Sequence, residues 1–326
     1  MSQLCPFCLA QVRLKPEKIP GQLAPVYLCR ECREQVPALY VQDYRGYPPI
    51  VTSAVGFRQH GKTVYFAALF YALKKLRLPQ HWPAFFTMAL NEDSLDTIYG
   101  NVRMLEQGLL PNSTPKNFPR PTMLRVEDLP VFRQKDWTLL FYDTGGEAFE
   151  KPSQLVQFAS YVRRAQTVML LISISDLDDP AREMQRLLNT YVVGMRELGS
   201  RTEDQHLVVV YTKADRMPAD IPHWKRNWPG LHHYLVEGSI DTLAHARGYL
   251  KKMRQVSSWL HEFSASELHA HEFLNAAEFH FRSVAFSMVS ALGTEPDQGR
   301  MAVQLVPRRI LDPLLWTIEL SRPRWW

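Results

Sequence analysis

The chain has 326 residues, 46% of them hydrophobic and 22% charged, a balance that supplies a buried core and excludes a disordered polymer. Its formal charge of +5 is spread along the chain, which permits contact with nucleic acid or an anionic membrane surface without arguing for either. No run approaches the roughly 18 uninterrupted apolar residues of a membrane span, and Cys5 and Cys8 stand where a secretory segment would be apolar, so the expectation is a cytoplasmic protein with at most peripheral membrane contact.

All four cysteines fall in the first 32 residues. Cys5-Pro6-Phe7-Cys8 and Cys29-Arg30-Glu31-Cys32 give C-x2-C, twenty residues, C-x2-C, a spacing that suits zinc. Four thiolates leave no open coordination position, so the expected role is structural. Residues 1–45 cannot bury enough apolar surface to fold alone, and a metal would supply the missing free energy. Each pair should lie on a tight turn of a zinc ribbon. A redox dithiol or free thiols are the alternatives. Such a ribbon can dock protein or nucleic acid, or only cap its neighbour.

After the connector Tyr47-Pro48-Pro49, Ile50 to Val55 reads as a buried strand and Val64 to Leu76 as a helix ending in Lys74, Lys75 and Arg77. Leu95, Ile98, Val102, Leu105 and Leu109 recur at helical spacing behind a cap at Asn91 or Asp93. Pro111 to Pro121 is irregular. Met123 to Val126, Trp137 to Tyr142, Thr167 to Ile174, Leu207 to Tyr211 and Ser283 to Val289 read as strands. Ser153 to Arg164, Arg182 to Leu198, most of 216–279 and Arg308 to Leu320 read as helices. The expected fold is α/β: a three-layer P-loop NTPase sandwich over residues 46–326, with a mostly parallel sheet, a helical insertion at 216–279 and the small ribbon in front.

The chemistry stands at the strand ends, where open α/β sheets bind ligands. Gly56-Phe57-Arg58-Gln59-His60-Gly61-Lys62-Thr63 fits G-x-x-x-x-G-K-[ST] between a strand and a helix. The backbone of Gly56, Arg58, Gln59, His60, Gly61, Lys62, Thr63 and Val64 is expected to cradle phosphate, with Lys62 neutralising it and the Thr63 hydroxyl on magnesium. After Tyr142 comes Asp143-Thr144-Gly145-Gly146-Glu147. Asp143 can hold magnesium through water, and Gly146 can offer its N–H to a γ-phosphate. After Tyr211 comes Thr212-Lys213-Ala214-Asp215, where Asp215 can accept two hydrogen bonds from a guanine edge and the Lys213 stem can cover the base. The backbone of Ser290, Ala291 and Leu292 can meet the guanine O6.

In this order the motifs resemble those of Ras-like GTPases of the translation-factor-related class, across about residues 50–320. The long first helix, the insertion and the ribbon look like GTPase domains of bacterial multi-gene systems, including the double-GTPase group. The resemblance implies GTP and GDP binding with Mg2+, slow hydrolysis, and a switch between two conformations that signals to a protein effector or regulator. It also implies a threonine that reaches magnesium and γ-phosphate. Thr114 is the candidate, with Ser113, Thr122 and Thr97 competing.

Two departures stand out. Glu147 replaces the glutamine that orients the attacking water in Ras-like enzymes, and a carboxylate there is repelled by γ-phosphate. Arg58 replaces a glycine; it either stabilises transition-state charge or faces solvent. The His60 side chain is assigned no chemistry. The alternatives to a GTPase switch are a GTP-binding scaffold with little turnover and a GTPase whose ribbon reads nucleic acid. Arg322-Pro323-Arg324-Trp325-Trp326 can touch a membrane interface or a partner, or fold back.

Overall fold

The computed structural model describes residues 2–18, 25–75, 78–115, 117–236, 246–294, 296, 300–301 and 305–322. Arg77 and the terminal Pro323 to Trp326 lie outside them.

The N-terminal segment forms two small antiparallel sheets. In one, β1 (Gln3–Leu4) pairs with β2 (Gln11–Val12); in the other, β3 (Pro16–Glu17), β4 (Val26–Leu28) and β5 (Gln35–Val36) lie side by side. Each cysteine pair occupies the turn of a hairpin, as its spacing predicts. The two turns are conformational copies. Leu9 and Arg33, one residue past each second cysteine, share a left-handed φ of 62°, and their amides donate to the Cys5 and Cys29 carbonyls at 2.9 Å. A short helix, α1 (Ala38–Gln42), leads into the main sheet. The ribbon is packed onto that sheet, because Leu4, Leu9, Val36 and Tyr40 share a core with Val51, Met123, Leu140 and Tyr142.

The main elements follow as β6 (Pro49–Val55), α2 (Lys62–Lys75), α3 (Leu78–His81), β7 (Phe86–Ala89), α4 (Glu92–Glu106), β8 (Thr122–Glu127), β9 (Trp137–Tyr142), α5 (Pro152–Phe158), β10 (Thr167–Ile172), α6 (Pro180–Glu197) and β11 (His206–Tyr211). Then come α7 (Met217–Asp220), α8 (Trp224–Asn227), α9 (Pro229–Val236), α10 (Ala246–Ser266), α11 (His271–His280), β12 (Ser283–Met288) and α12 (Asp312–Ser321). The sheet order is β12-β11-β10-β6-β9-β8-β7, parallel from β12 to β9 and antiparallel at β8 and β7.

Strict alternation builds two cores, one on each face of the sheet. Leu139 and Phe141 face α2, α4 and α12, while Leu140 and Tyr142 face the other way, toward the layer of α5, α6 and α11. β10 and β11 repeat the pattern, and every residue of β9, β10 and β11 is buried, as strands covered on both sides must be. Neither sheet edge is bare. Ser257 of α10 accepts from the Phe286 amide on β12 at 2.8 Å, and Lys74 donates to the Thr87 carbonyl on β7 at 2.9 Å.

Several expected elements are redrawn by packing. The helix read over Ser153 to Arg164 stops at Phe158, and Ser160–Arg164 is a 3-10 turn. Ala159 leaves helical geometry (φ −127°), which lets the Tyr161 ring stack on Tyr142 at 4.9 Å. β10 ends at Ile172, and Ile174–Asp176 turns away as 3-10. The last helix starts at Asp312 rather than Arg308: Arg308 bridges to Ser290, Arg309 has φ 56°, and Pro313 stands in the first turn. Asn91 caps α4, accepting from the Ser94 amide at 3.0 Å. The buried stripe of α4 is Ser94, Ile98, Val102 and Leu105; Leu95 is exposed, and Leu109 lies past the helix in a bridge to Arg300. β7 is an edge strand that the sequence reading passes over. No described helix is long and apolar enough to cross a membrane.

Candidate functional site

At the C-terminal ends of β6, β9, β11 and β12 a cavity of about 850 Å³ opens. Its walls include Arg58, Gln59, Gly61, Lys62, Thr63 and Val64 from the first glycine loop, and Thr114 from the irregular segment. Gly146 and Glu147, Thr212, Lys213 and Asp215, and Ala291 and Leu292 also line it, whereas Gly56, His60, Asp143 and Ser290 lie behind the wall. Motifs scattered over most of the chain therefore meet in one place.

The loop between β6 and α2 is fixed from below. His60 is buried, and its Nδ1 donates to the Leu171 carbonyl at 3.0 Å, so the proton is on Nδ1. Burial lowers its pKa to about 4, which keeps the ring neutral and structural. Gly56 lies so close to β10 that an added Cβ would be 2.7 Å from the Leu171 carbonyl oxygen. The Arg186 guanidinium covers the Phe57 ring at 3.9 Å.

Lys62 is buried, and its ammonium donates to the Gly56 carbonyl at 2.7 Å and the Phe57 carbonyl at 3.1 Å. Burial lowers its pKa to about 8, against the opposing charges of Asp143 and Glu147. A cation held so deep, with only carbonyl dipoles bonded to it, is poised for an anion.

Three oxygen donors cluster beside it. Thr63 Oγ1 lies 2.7 Å from Thr114 Oγ1, which donates to Asp143 Oδ2 at 2.7 Å. Asp143 Oδ1 is buried and has no hydrogen-bond partner. Burial raises the carboxyl pKa, although Thr114, Lys62 and Thr63 pull it down. Hard oxygens plus one orphaned carboxylate atom fit a magnesium ion. Of the competing threonines and serines, Thr114 is the one bonded to Thr63.

Gly146 packs onto the first loop: a Cβ there would meet the Arg58 amide nitrogen at 2.3 Å and the Phe57 carbonyl carbon at 2.5 Å. This close approach requires glycine. Glu147 pairs with Arg58, Nε to Oε1 at 3.0 Å, so the arginine is neither simply solvent-facing nor aimed into the cavity alone.

Thr212 Oγ1 donates to the His60 carbonyl at 3.1 Å, joining the third motif to the first. Asp215 accepts from Ser290 Oγ at 2.5 Å, and Ser290 Oγ accepts from the Gly293 amide at 3.0 Å. The Ser290 amide itself is taken by the Arg308 carbonyl at 3.0 Å. This corrects the expectation for Ser290. Its hydroxyl orients Asp215, and the neighbouring Ala291 and Leu292 line the cavity.

Asp176 and Arg216 are wall residues that the sequence reading misses. Asp176 accepts from Lys213 Nζ, from Arg216 Nη1 at 2.8 Å and from Ser173 Oγ at 2.6 Å. Burial works against its charge, but the Lys213 and Ser173 bonds and the two cations hold its pKa below the usual carboxylate value. It stands two residues beyond the expected end of β10, and reading that strand end as the others were read would have found it.

The four cysteine sulfurs lie within 4.8 Å of one another, with Cys5–Cys32 at 3.8 Å and Cys8–Cys29 at 3.7 Å. A tetrahedron with ~2.3 Å metal–sulfur arms has edges of ~3.8 Å. The set fits one zinc ion.

Among solved structures, the chain is similar to the Ski7 GTPase-like domain of S. cerevisiae bound to GTP, at 12% identity, with 85% of this chain and 51% of that one covered and a TM-score of 0.35. It is also similar to SsGBP in complex with GDP, at 14% identity, 84% and 49% coverage and a TM-score of 0.33. The chain spans about half the length of these two structures. No curated protein matches it. Residues 50–293, from β6 to just past β12, match the family model described as Double-GTPase 2. The chain belongs to the Double-GTPase 2 family.

Proposed function

We propose that the chain binds GTP and GDP with Mg2+, hydrolyses GTP slowly, and passes the nucleotide state to a protein partner through the segments carrying Thr114 and Gly146. The observation that carries this reading is the single cavity lined by Lys62, Thr63, Thr114 and Asp215, with Asp143 hydrogen-bonded to Thr114 just behind its wall. Loop amides and Lys62 would hold the phosphates, and leaving its carbonyl partners for phosphate oxygens would favour the charged ammonium. Thr63 and Asp143 would hold Mg2+, which neutralises phosphate charge when bound. Thr114 would report a γ-phosphate. Asp215, oriented by Ser290, would select guanine, with Lys213 held over the base by Asp176. The cysteines would hold a structural zinc.

A second reading, GTP binding with little turnover, is favoured by Glu147 at the position where an enzyme needs to orient water. Direct titration of GTP, GDP and ATP tests the binding half, and equal affinity for ATP and GTP would defeat the guanine assignment. Single-turnover hydrolysis by wild type and Lys62→Ala tests the enzymatic half. A wild-type rate no faster than the variant's would leave the scaffold reading.

A further inference from the structure

We propose that the four-cysteine ribbon is a positioning element of the nucleotide site, acting on Asp143 through Tyr142 and on the Thr114 segment through Arg120. The proposal rests on the nucleotide reading above and adds a regulator to it.

Tyr142 is the last residue of β9 and directly precedes Asp143. It is fully buried, and its hydroxyl donates to the Pro6 carbonyl, inside the turn between Cys5 and Cys8. A buried phenol is held in one orientation by such a bond, whereas the hydroxyl of Tyr161 stacked on it is buried with no hydrogen-bond partner among the described residues. Its partner is a backbone atom whose position the metal would fix. Should the Cys5–Cys8 turn relax, the strand end beneath Asp143 loses its anchor.

A second path starts from the other cysteine pair. Arg120 Nη2 donates to Glu34 Oε1 at 2.9 Å, two residues past Cys32, and the guanidinium lies 5.9 Å from the Phe7 ring between Cys5 and Cys8. Arg120 thus touches both turns. It closes the segment that begins at Thr114, and that segment is laced to the residues after Asp143. The Gly145 amide donates to the Pro115 carbonyl at 3.3 Å, and Thr144 Oγ1 donates to the Asn117 carbonyl at 2.9 Å. Phe118 from the same segment meets Tyr142 and Tyr161 edge-on, at 6.5 and 6.2 Å between ring centres. Both candidate nucleotide-sensing segments are therefore tied to the ribbon by polar bonds with defined partners, which a cap held by apolar packing would not require.

Binding linkage is reciprocal, so a ribbon that favours the triphosphate arrangement is itself tightened by triphosphate, by the same factor. The test uses the full zinc-loaded chain. Zinc affinity is measured by competition with a zinc-selective chelating dye, in Mg2+ buffer, without nucleotide, with GDP and with a non-hydrolysable GTP analogue. The analogue is expected to raise zinc affinity about fivefold or more. Tyr142→Phe and Arg120→Glu should each reduce that gain, read as the ratio of zinc affinity with the analogue to that without nucleotide, and Glu34→Arg should restore it in the Arg120→Glu background. A chain that binds the analogue with zinc affinity unchanged overturns the coupling alone. A chain that binds no guanine nucleotide overturns the reading beneath it as well.

Discussion

Arg58 of the glycine loop and Glu147 of the segment after β9 meet as an ion pair, Nε to Oε1 at 3.0 Å. Their side chains are 68% and 29% exposed, so the pair adds at most about 1 kcal/mol to folding. Its consequence is chemical. On the proposed nucleotide reading, a carboxylate beside a γ-phosphate would repel it, and the Arg58 charge would offset that repulsion where the triphosphate differs from the diphosphate. Arg58→Ala is expected to weaken GTP about three- to tenfold relative to GDP, equivalent to about 1 kcal/mol, with little change in melting temperature. Adding Glu147→Gln should recover the loss. Titration of both nucleotides checks this, and an equal loss for GDP and GTP would place the effect elsewhere.

Lys62 gives the site a pH signature. Its folded pKa of about 8 lies below the ordinary lysine value because of burial, so unfolding between pH 8 and 10.5 takes up a proton. Stability from this group therefore rises with pH across that window, and below pH 8 the charged lysine imposes its full cost, on the order of 3 kcal/mol. Phosphate binding reverses the preference by favouring the ammonium. Nucleotide affinity should fall above about pH 8, approaching tenfold per unit. Lys62→Ala should weaken binding on the order of 100-fold and remove that part of the slope. A variant with the same pH profile as wild type would show that Lys62 does not meet the phosphates.

What could be read from sequence is what short-range physics dictates. β9, β10 and β11 are legible because strands buried on both faces must be continuously apolar. The glycine loop and the Thr-Lys-x-Asp string are legible because each is a short pattern of residue types directly after a strand, and residues of both line one cavity. β7 is four residues long with Phe86 at 54% exposure, so neither length nor alternation marks it. The break after Phe158 follows from Tyr161 stacking on Tyr142, a contact made only by the assembled sheet. For the same reason the Ser290 hydroxyl, Asp176 and the Arg58–Glu147 pair escape a sequence reading, since each acts on a residue from another motif.

The Ser290–Asp215 bond separates orientation from recognition at the base end. Asp215→Asn exchanges one acceptor oxygen for a donor and should shift preference from guanine toward xanthine nucleotides. Ser290→Ala leaves the carboxylate in place but removes the 2.5 Å bond that aims it. Guanine nucleotide affinity is expected to fall about three- to tenfold, the net value of one ordinary hydrogen bond, without any gain for xanthine. Competition among GDP, XDP and ADP for each variant distinguishes the two effects. A Ser290→Ala protein that gains xanthine affinity would contradict the orienting role.

Asp312, at the start of α12, is buried between two phenols: Tyr234 donates to Oδ2 at 2.5 Å and Tyr249 donates to Oδ1. Arg309 lies over the Tyr234 ring at 3.6 Å and donates to the Tyr234 carbonyl at 2.7 Å, and Tyr65 of α2 lies within electrostatic reach. Burial raises the Asp312 pKa to about 6, and the Arg309 charge and both phenol bonds limit the rise. A carboxyl with a raised folded pKa stabilises most below its unfolded value near 4, and that contribution, on the order of 3 kcal/mol, is lost as pH climbs through 6. The urea stability of wild type minus that of Asp312→Asn should therefore decline between pH 4 and 6.5 and level off above. The Arg309 charge, left behind in the variant, offsets the comparison by a constant and does not affect its slope. A difference that stays flat across that window would mean that Asp312 remains ionised throughout and that the phenols and Arg309 fully offset its burial.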